Sequence, residues 1–315
     1  MSACALCRHA RRRRWRNRYH RRMFSYRHAF HAGNHADVFK HTVLIATLQY
    51  LTDKDAALTV LDSHAGAGLY RLDGDYARTS GEAADGVVRL FAAPGSALAP
   101  ALQAYVDMVG AFNQGRRLRV YPGSPCITQR LLRESDKLKL FEWHPTDLRA
   151  LAGHVAQLQA GRQVAVFHED GFQGIRKFLP PPQRRALLLC DPSYEIKSDY
   201  GKVLDLATDS LKRFATGCYM FWYPIIGRPE AHELPRRLKT LASKAGKSWL
   251  HATLTVKSGQ RTAAGSLKRP GLPASGMFLI NPPFTLKAAL TPALPQMVQL
   301  LAQDRHATHT LESAG

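Results

Sequence analysis

Four short apolar runs in this chain each end on a carboxylate, and that repetition limits the fold more than any other feature. Ala57 to Leu61 ends in Asp62, Leu138 to Phe141 in Glu142, and Ala186 to Cys190 in Asp191, while Val164 to Phe167 leads to Glu169-Asp170-Gly171. Runs of this length bounded by turn residues read as strands buried on both faces. Helical stretches such as Asp147 to Leu158 lie between them. Strands alternating with helices call for a parallel sheet covered by helices, because parallel neighbours need a long crossover. The fold class is α/β. Ligands of such sheets bind beyond the carboxyl ends of the strands, where strand order reverses, so the four acids are expected around one cleft.

Asn34 followed by Asp37 gives a capping-box-like start, and Val38, His41, Ile45 and Leu48 recur on one face of a helix over about 35–51. The first strand then turns at His64-Ala65-Gly66-Ala67-Gly68. About 70 residues separate this glycine loop from the second strand, far more than one crossover helix needs. Helical patterns over 86–91 and 98–112 mark residues 73–123 as an inserted helical subdomain. The core is expected over 23–72 and 124–303, with 304–315 as a tail. Cys218 to Ile226 and Met277 to Ile280 extend the sheet, and Lys257 to Pro273 reads as a mobile basic loop.

Charge narrows the partners. The chain carries 44 Lys and Arg against 24 Asp and Glu, a formal +20, which points to a polyanion such as nucleic acid. Nine arginines and no acid fall within residues 1–22, yet without them 35 Lys and Arg still exceed the 24 acids. That segment reads as a disordered basic arm, or as sequence upstream of a true start at Met23. No stretch approaches the roughly 18 apolar residues of a membrane span. Five scattered cysteines fit a reducing compartment, the cytoplasm. Cys4 and Cys7 form a single C-x-x-C without the second pair a zinc site needs, so no metal is expected.

The expected cleft has the chemistry of an adenosine-bearing cofactor. A glycine loop lets backbone approach a ligand closely, and an acid on the next strand accepts both ribose hydroxyls, the role that falls to Glu142. Asp170-Gly171-Phe172 offers an acceptor for an adenine amine beside an aromatic ring. The loop lacks the third glycine of G-x-G-x-x-G, and no Walker lysine follows. The weight falls on Asp191-Pro192-Ser193-Tyr194, which resembles the D/N/S-P-P-Y/F motif of amino-group methyltransferases using S-adenosylmethionine. A purine amine is a poor nucleophile and gains reactivity when acceptors hold its hydrogens; Asp191 and the Pro192 carbonyl are such acceptors, and Tyr194 offers a flat face for a base taken out of its helix. Asn281-Pro282-Pro283-Phe284 matches the consensus better but follows two further strands, so it reads as a strand-end turn.

Taken together these segments resemble the RlmJ family of bacterial 23S ribosomal RNA adenine-N6 methyltransferases, from about Met23 to residue 300. Tyr26 to Asp37 is similar to the family's N-terminal signature and Leu61 to Gly68 to its cofactor loop; Tyr121 to Pro125, Glu142-x-His144-Pro145, Asp170 to Phe172 and Phe214 to Gly217 also match. The resemblance implies a Rossmann-like class I fold with an inserted helical subdomain, S-adenosylmethionine as cofactor, and 23S rRNA as partner of a monomeric protein. It implies cofactor contacts from His41, His64, Gly66, Ser124, Glu142, Asp170 and Gly171, catalysis at Asp191 with Pro192 and Tyr194, and an RNA contact from Tyr26. Without it, His41 reads as a helix-face residue and His64 as a loop residue. Two departures stand out: Ser193 replaces the usual second proline, and residues 1–22 have no counterpart. A DNA adenine methyltransferase, a protein glutamine methyltransferase and a catalytically silent RNA-binding factor stay open as alternatives.

Overall fold

The computed structural model describes residues 27–93, 97–115, 117–259 and 271–315. The expectations attached to Tyr26, to Cys4 and Cys7, to the extension 1–22 and to most of the basic loop 257–273 lie outside the described residues. In chain order, α1 (His35–Thr52) precedes β1 (Thr59–Asp62) and β2 (Leu69–Arg71). Helices α2 (Asp75–Ser80), α3 (Val87–Ala92) and α4 (Pro100–Gly110) follow, then β3 (Val120–Pro122), α5 (Ser124–Leu131), β4 (Lys137–Phe141), α6 (Pro145–Gln157) and β5 (Val164–Phe167). After these come α7 (Gly171–Gly174), β6 (Ala186–Cys190), α8 (Ser198–Arg213) and β7 (Cys218–Ile225). The C-terminal part adds α9 (Pro229–Lys244), β8 (Trp249–Thr255), β9 (Ala274–Ile280), α10 (Leu286–Leu301) and β10 (Thr308–Ala314).

Eight strands form one sheet in the order β10-β8-β9-β7-β6-β1-β4-β5. The five from β5 to β7 are parallel, while β9, β8 and β10 each run antiparallel to their predecessor in that row. Strands β1 and β6 are buried at every residue, as continuous apolar runs between two helical layers must be. Successive strands leave β1 in opposite directions, toward β4 and β5 on one side and β6 and β7 on the other. The β1–β6 seam is therefore the switch point, where a crevice opens beyond the strand ends.

Asn34 sets the start of α1: its side-chain oxygen accepts from the backbone N–H of Ala36 and Asp37, each at 3.0 Å, satisfying two donors that a helix start leaves over. The periodicity predicts one buried face, but α1 is buried on nearly every side. It is packed by α4, α5, α10 and β9. The helices between β2 and β3 have no core of their own: Val87, Leu90, Leu102, Tyr105 and Val109 join the cluster that holds α1 and one face of the sheet. Residues 304–315, expected as a tail, contain the edge strand β10, which pairs with β8 along seven residues. Its sole apolar anchor is Leu311, too little pattern for a strand to be read. Among the described residues no helix is long and apolar enough to cross a membrane.

The helices between β2 and β3 meet the cap of α1 through glycine. Val87 N donates to Gly33 O at 2.8 Å, and a Cβ on Gly86 would lie 2.1 Å from that same oxygen and 2.7 Å from Asn34 Cα. Backbone on both sides leaves no flexible atom to yield. Gly86→Ala is predicted to cost about 2–3 kcal/mol, read as a lower urea midpoint at unchanged slope. Gly153→Ala, in the middle of α6 with nothing within 4 Å of its Cβ, is expected to be neutral or stabilising by up to about 1 kcal/mol. Equal effects at the two positions would contradict the close approach.

Candidate active site

A cleft of about 900 Å³ lies over the switch point, within the range of small-molecule sites. One end is built by the loop after β1. Gly66 has φ +61, and a Cβ there would meet the Tyr70 hydroxyl at 2.2 Å. Its N–H donates to Glu142 Oε2 at 2.8 Å, while His144 N–H donates to Oε1 at 2.6 Å. Glu142 thus ties the loop to the end of β4, and burial pushes its carboxyl up to about 7. Asp62 at the end of β1 accepts from Ser124 Oγ at 2.7 Å; burial pushes it up to about 6. Asp170 accepts from Phe172 N–H at 2.9 Å at the start of α7. Gly171 cannot carry a side chain, since its Cβ would sit 1.9 Å from Ser63 O.

Two histidines complete this end, both neutral. His64 shares a 2.7 Å hydrogen bond with Ser63 Oγ and sets its ring edge-to-face on Phe172 at 4.8 Å. His41 shares one of 2.7 Å with the Tyr121 hydroxyl. Burial lowers each to about 3. The other ring nitrogen of His41, Nε2, is buried with no partner among the described residues. A buried polar atom left over costs stability and suits a ligand that would satisfy it.

The other end is governed by a charge that motif reading does not single out. Lys40, on α1, donates to the carboxylate of Asp191 and pairs with Asp37 at 3.0 Å. Asp37 in turn accepts from Gly33 N–H at 2.9 Å and pairs with His28 at 3.0 Å. Burial works against the ammonium of Lys40, but Asp191 and Asp37 hold it above its ordinary value. Burial also works against the Asp37 carboxylate, which His28 and Lys40 keep well below the usual range. Asp191 is pushed up by burial and drawn back by Lys40. The sequence signal was available: a lysine three residues after an aspartate, inside the apolar run Val38-Phe39-Lys40-His41.

His41, His64, Gly66, Ser124, Glu142, Asp170, Gly171, Asp191 and Pro192 all line this cleft. Tyr194 does not. Its ring is 2% exposed, lies 4.6 Å from Tyr200, and its hydroxyl donates to Trp222 O at 2.6 Å. The expectation that Tyr194 presents a flat face is corrected accordingly: φ +52 at this residue turns the ring into the core between α8 and β7. Among the aromatic rings that do line the cleft, Trp222 lies beside the Asp191 end, 5.8 Å from Lys40 Nζ. Asn281 to Phe284 lies at the far end of the sheet, since Ile280 pairs with Tyr219 at the start of β7.

Residues 55–312 match the profile of the family described as "Ribosomal RNA large subunit methyltransferase D, RlmJ". The chain is 41% identical over 288 residues to "Ribosomal RNA large subunit methyltransferase J" of Escherichia coli (strain K12), covering 91% of this chain and 98% of that protein. It is 38% identical over 293 residues to the protein of the same name from Haemophilus influenzae, covering 92% and 98%. A crystal structure of a Legionella pneumophila protein superposes with a TM-score of 0.77 at 30% identity, over 90% of this chain and 98% of that one.

If Glu142 accepts the ribose hydroxyls as the sequence leads one to expect, its raised carboxyl makes cofactor binding pH-dependent in a defined sense. Below about pH 7 its neutral form dominates, and a neutral carboxyl accepts ribose hydroxyls less strongly than a carboxylate does. Affinity for S-adenosylhomocysteine is predicted to strengthen by about fivefold from pH 6 to pH 8, measured by calorimetry. Glu142→Gln should weaken binding and flatten this dependence. A flat profile in the unsubstituted protein would contradict the ribose assignment.

Proposed function

Because this chain belongs to the RlmJ family of ribosomal RNA large subunit methyltransferases, we propose that it methylates the exocyclic N6 amine of one adenine in 23S rRNA. The observation that carries the reading is the position of Asp191 and Pro192, across one cleft from the Gly66 loop and Glu142. S-adenosylmethionine, when bound, supplies a methyl group already activated on a sulfonium, so the protein's task is alignment. His41, His64, Ser124, Glu142 and Asp170 would hold it.

The remaining chemistry belongs to the amine. Asp191 and the Pro192 carbonyl accept its two hydrogens, which fixes the nitrogen's orientation and raises its electron density. The Asp191 carboxylate takes the proton released as the new N–C bond forms. Lys40 opposes the burial that raises this carboxyl and draws it back toward the anionic form. A base in a stacked helix cannot reach this depth, so the adenine must be extruded. Trp222 offers it an aromatic face, and Tyr194 supports Trp222 from behind. The reading places the protein in the cytoplasm, where ribosomes are assembled.

The test is transfer of a labelled methyl group to protein-free 23S rRNA, followed by digestion to nucleosides. Label is expected in N6-methyladenosine. Asp191→Ala should lower kcat at least about a hundredfold while leaving the cofactor Kd within about twofold, since Asp191 is placed on the amine and not on the donor. Label confined to DNA or protein, or an active Asp191→Ala variant, would overturn the reading.

A further inference from the structure

The described lining of the cleft is acidic. Among its described lining residues eight Asp and Glu face three Lys and Arg, although the whole chain carries +20. A surface of the opposite sign is built at the opposite pole of the sheet. There the chain turns from β9 into α10 through Asn281-Pro282-Pro283-Phe284.

Phe284 is 82% exposed; the other large apolar side chains exposed among the described residues, Val88 and Trp143, reach 40% and 38%. Its position is fixed. Asn281, at φ +52, donates from its side chain to Gly217 O at 2.8 Å and Ala215 O at 3.0 Å, and its backbone N–H donates to Ser248 O at 2.9 Å. Pro283 is buried, and the ring of Tyr50 meets Phe284 edge-on at 5.3 Å.

Its surroundings are cationic. The same pole carries Lys287 one turn on, Lys247 beside Ser248, Lys212 and Lys244 at the ends of α8 and α9, and Lys54 over the Tyr50 ring at 5.4 Å. Asp53 and Asp55 flank Lys54 and are outnumbered. Lysine is depleted at protein–protein contacts, whereas an aromatic platform among lysines is the pattern that binds single-stranded nucleic acid.

We propose that this pole is a second RNA-docking surface, on which Phe284 stacks with an unpaired base while Lys54, Lys247 and Lys287 meet the adjoining phosphates. The inference rests on the rRNA reading above. Strand β7, eight residues long, spans about 26 Å between the two ends, so the RNA engaged extends well beyond the extruded nucleotide.

Two measurements on the full chain test it: steady-state methylation of protein-free 23S rRNA, and filter binding of the same RNA at several salt concentrations. Phe284→Ala should raise KM and the RNA Kd about tenfold with kcat unchanged; Phe284→Trp should restore both, and Phe284→Leu should not. Lys54→Ala with Lys247→Ala and Lys287→Ala should reduce the slope of log affinity against log salt by about two to three. The surface is overturned if Phe284→Ala binds RNA within twofold of the unsubstituted chain, if Leu restores as well as Trp, or if the variant changes only the sedimentation of the protein. Absence of methylation by the unsubstituted chain would defeat the rRNA reading, and the binding titration would still decide the surface.

Discussion

The buried ion pair between Lys40 and Asp191 is the contact that sets the charge and position of the catalytic end of the cleft. It joins helix α1 to the end of β6, two elements that approach the cleft from different layers. Withdrawing opposite charges from water is expensive, and removing one partner of such a pair typically costs about 3–5 kcal/mol because the other is left uncompensated. Lys40 is compensated twice, by Asp191 and by Asp37, and Asp37 is compensated in turn by His28 and the Gly33 N–H. The Asn34 cap that begins α1 therefore also sets the depth at which the ammonium meets Asp191.

The cleft is divided by charge state. At the end formed by the Gly66 loop, burial raises Asp62 and Glu142 and strips His41 and His64 of charge. The two imidazoles there are neutral, and the two carboxyls are held close to the point where they exchange a proton. At the β6 end burial also raises Asp191, but Lys40 draws it back, and His28 and Lys40 hold Asp37 well below the usual carboxylate range. One end suits a hydroxyl-rich, positively charged donor, and the other suits an amine that must lose a proton.

Much of this was legible before any coordinates. Runs ending in Asp62, Glu142, Asp170 and Asp191 announce a parallel sheet whose acids meet at the switch point, because strand direction alone dictates where those ends lie. What was not legible followed from tertiary context. Tyr194 has the residue type of a stacking platform, but its positive φ sends the ring inward, and no local pattern reveals that Trp222 takes the exposed place. The Asp37-x-x-Lys40 spacing within an apolar run hints at a buried pair, but that Lys40 also reaches Asp191 follows only from the packing around α1. Strand β10 carries too few apolar residues to be seen, since an edge strand is held by backbone pairing more than by its side chains.

The account stands on Lys40 acting through Asp191 on an adenine amine. The most direct test is mass mapping of 23S rRNA from cells lacking the gene, resupplied with either the unsubstituted chain or Lys40→Met at matched soluble levels. One adenine is expected to lose its N6-methyl group on deletion and to regain it only with the unsubstituted chain. Full methylation supported by Lys40→Met, or no change in 23S rRNA on deletion, would contradict it.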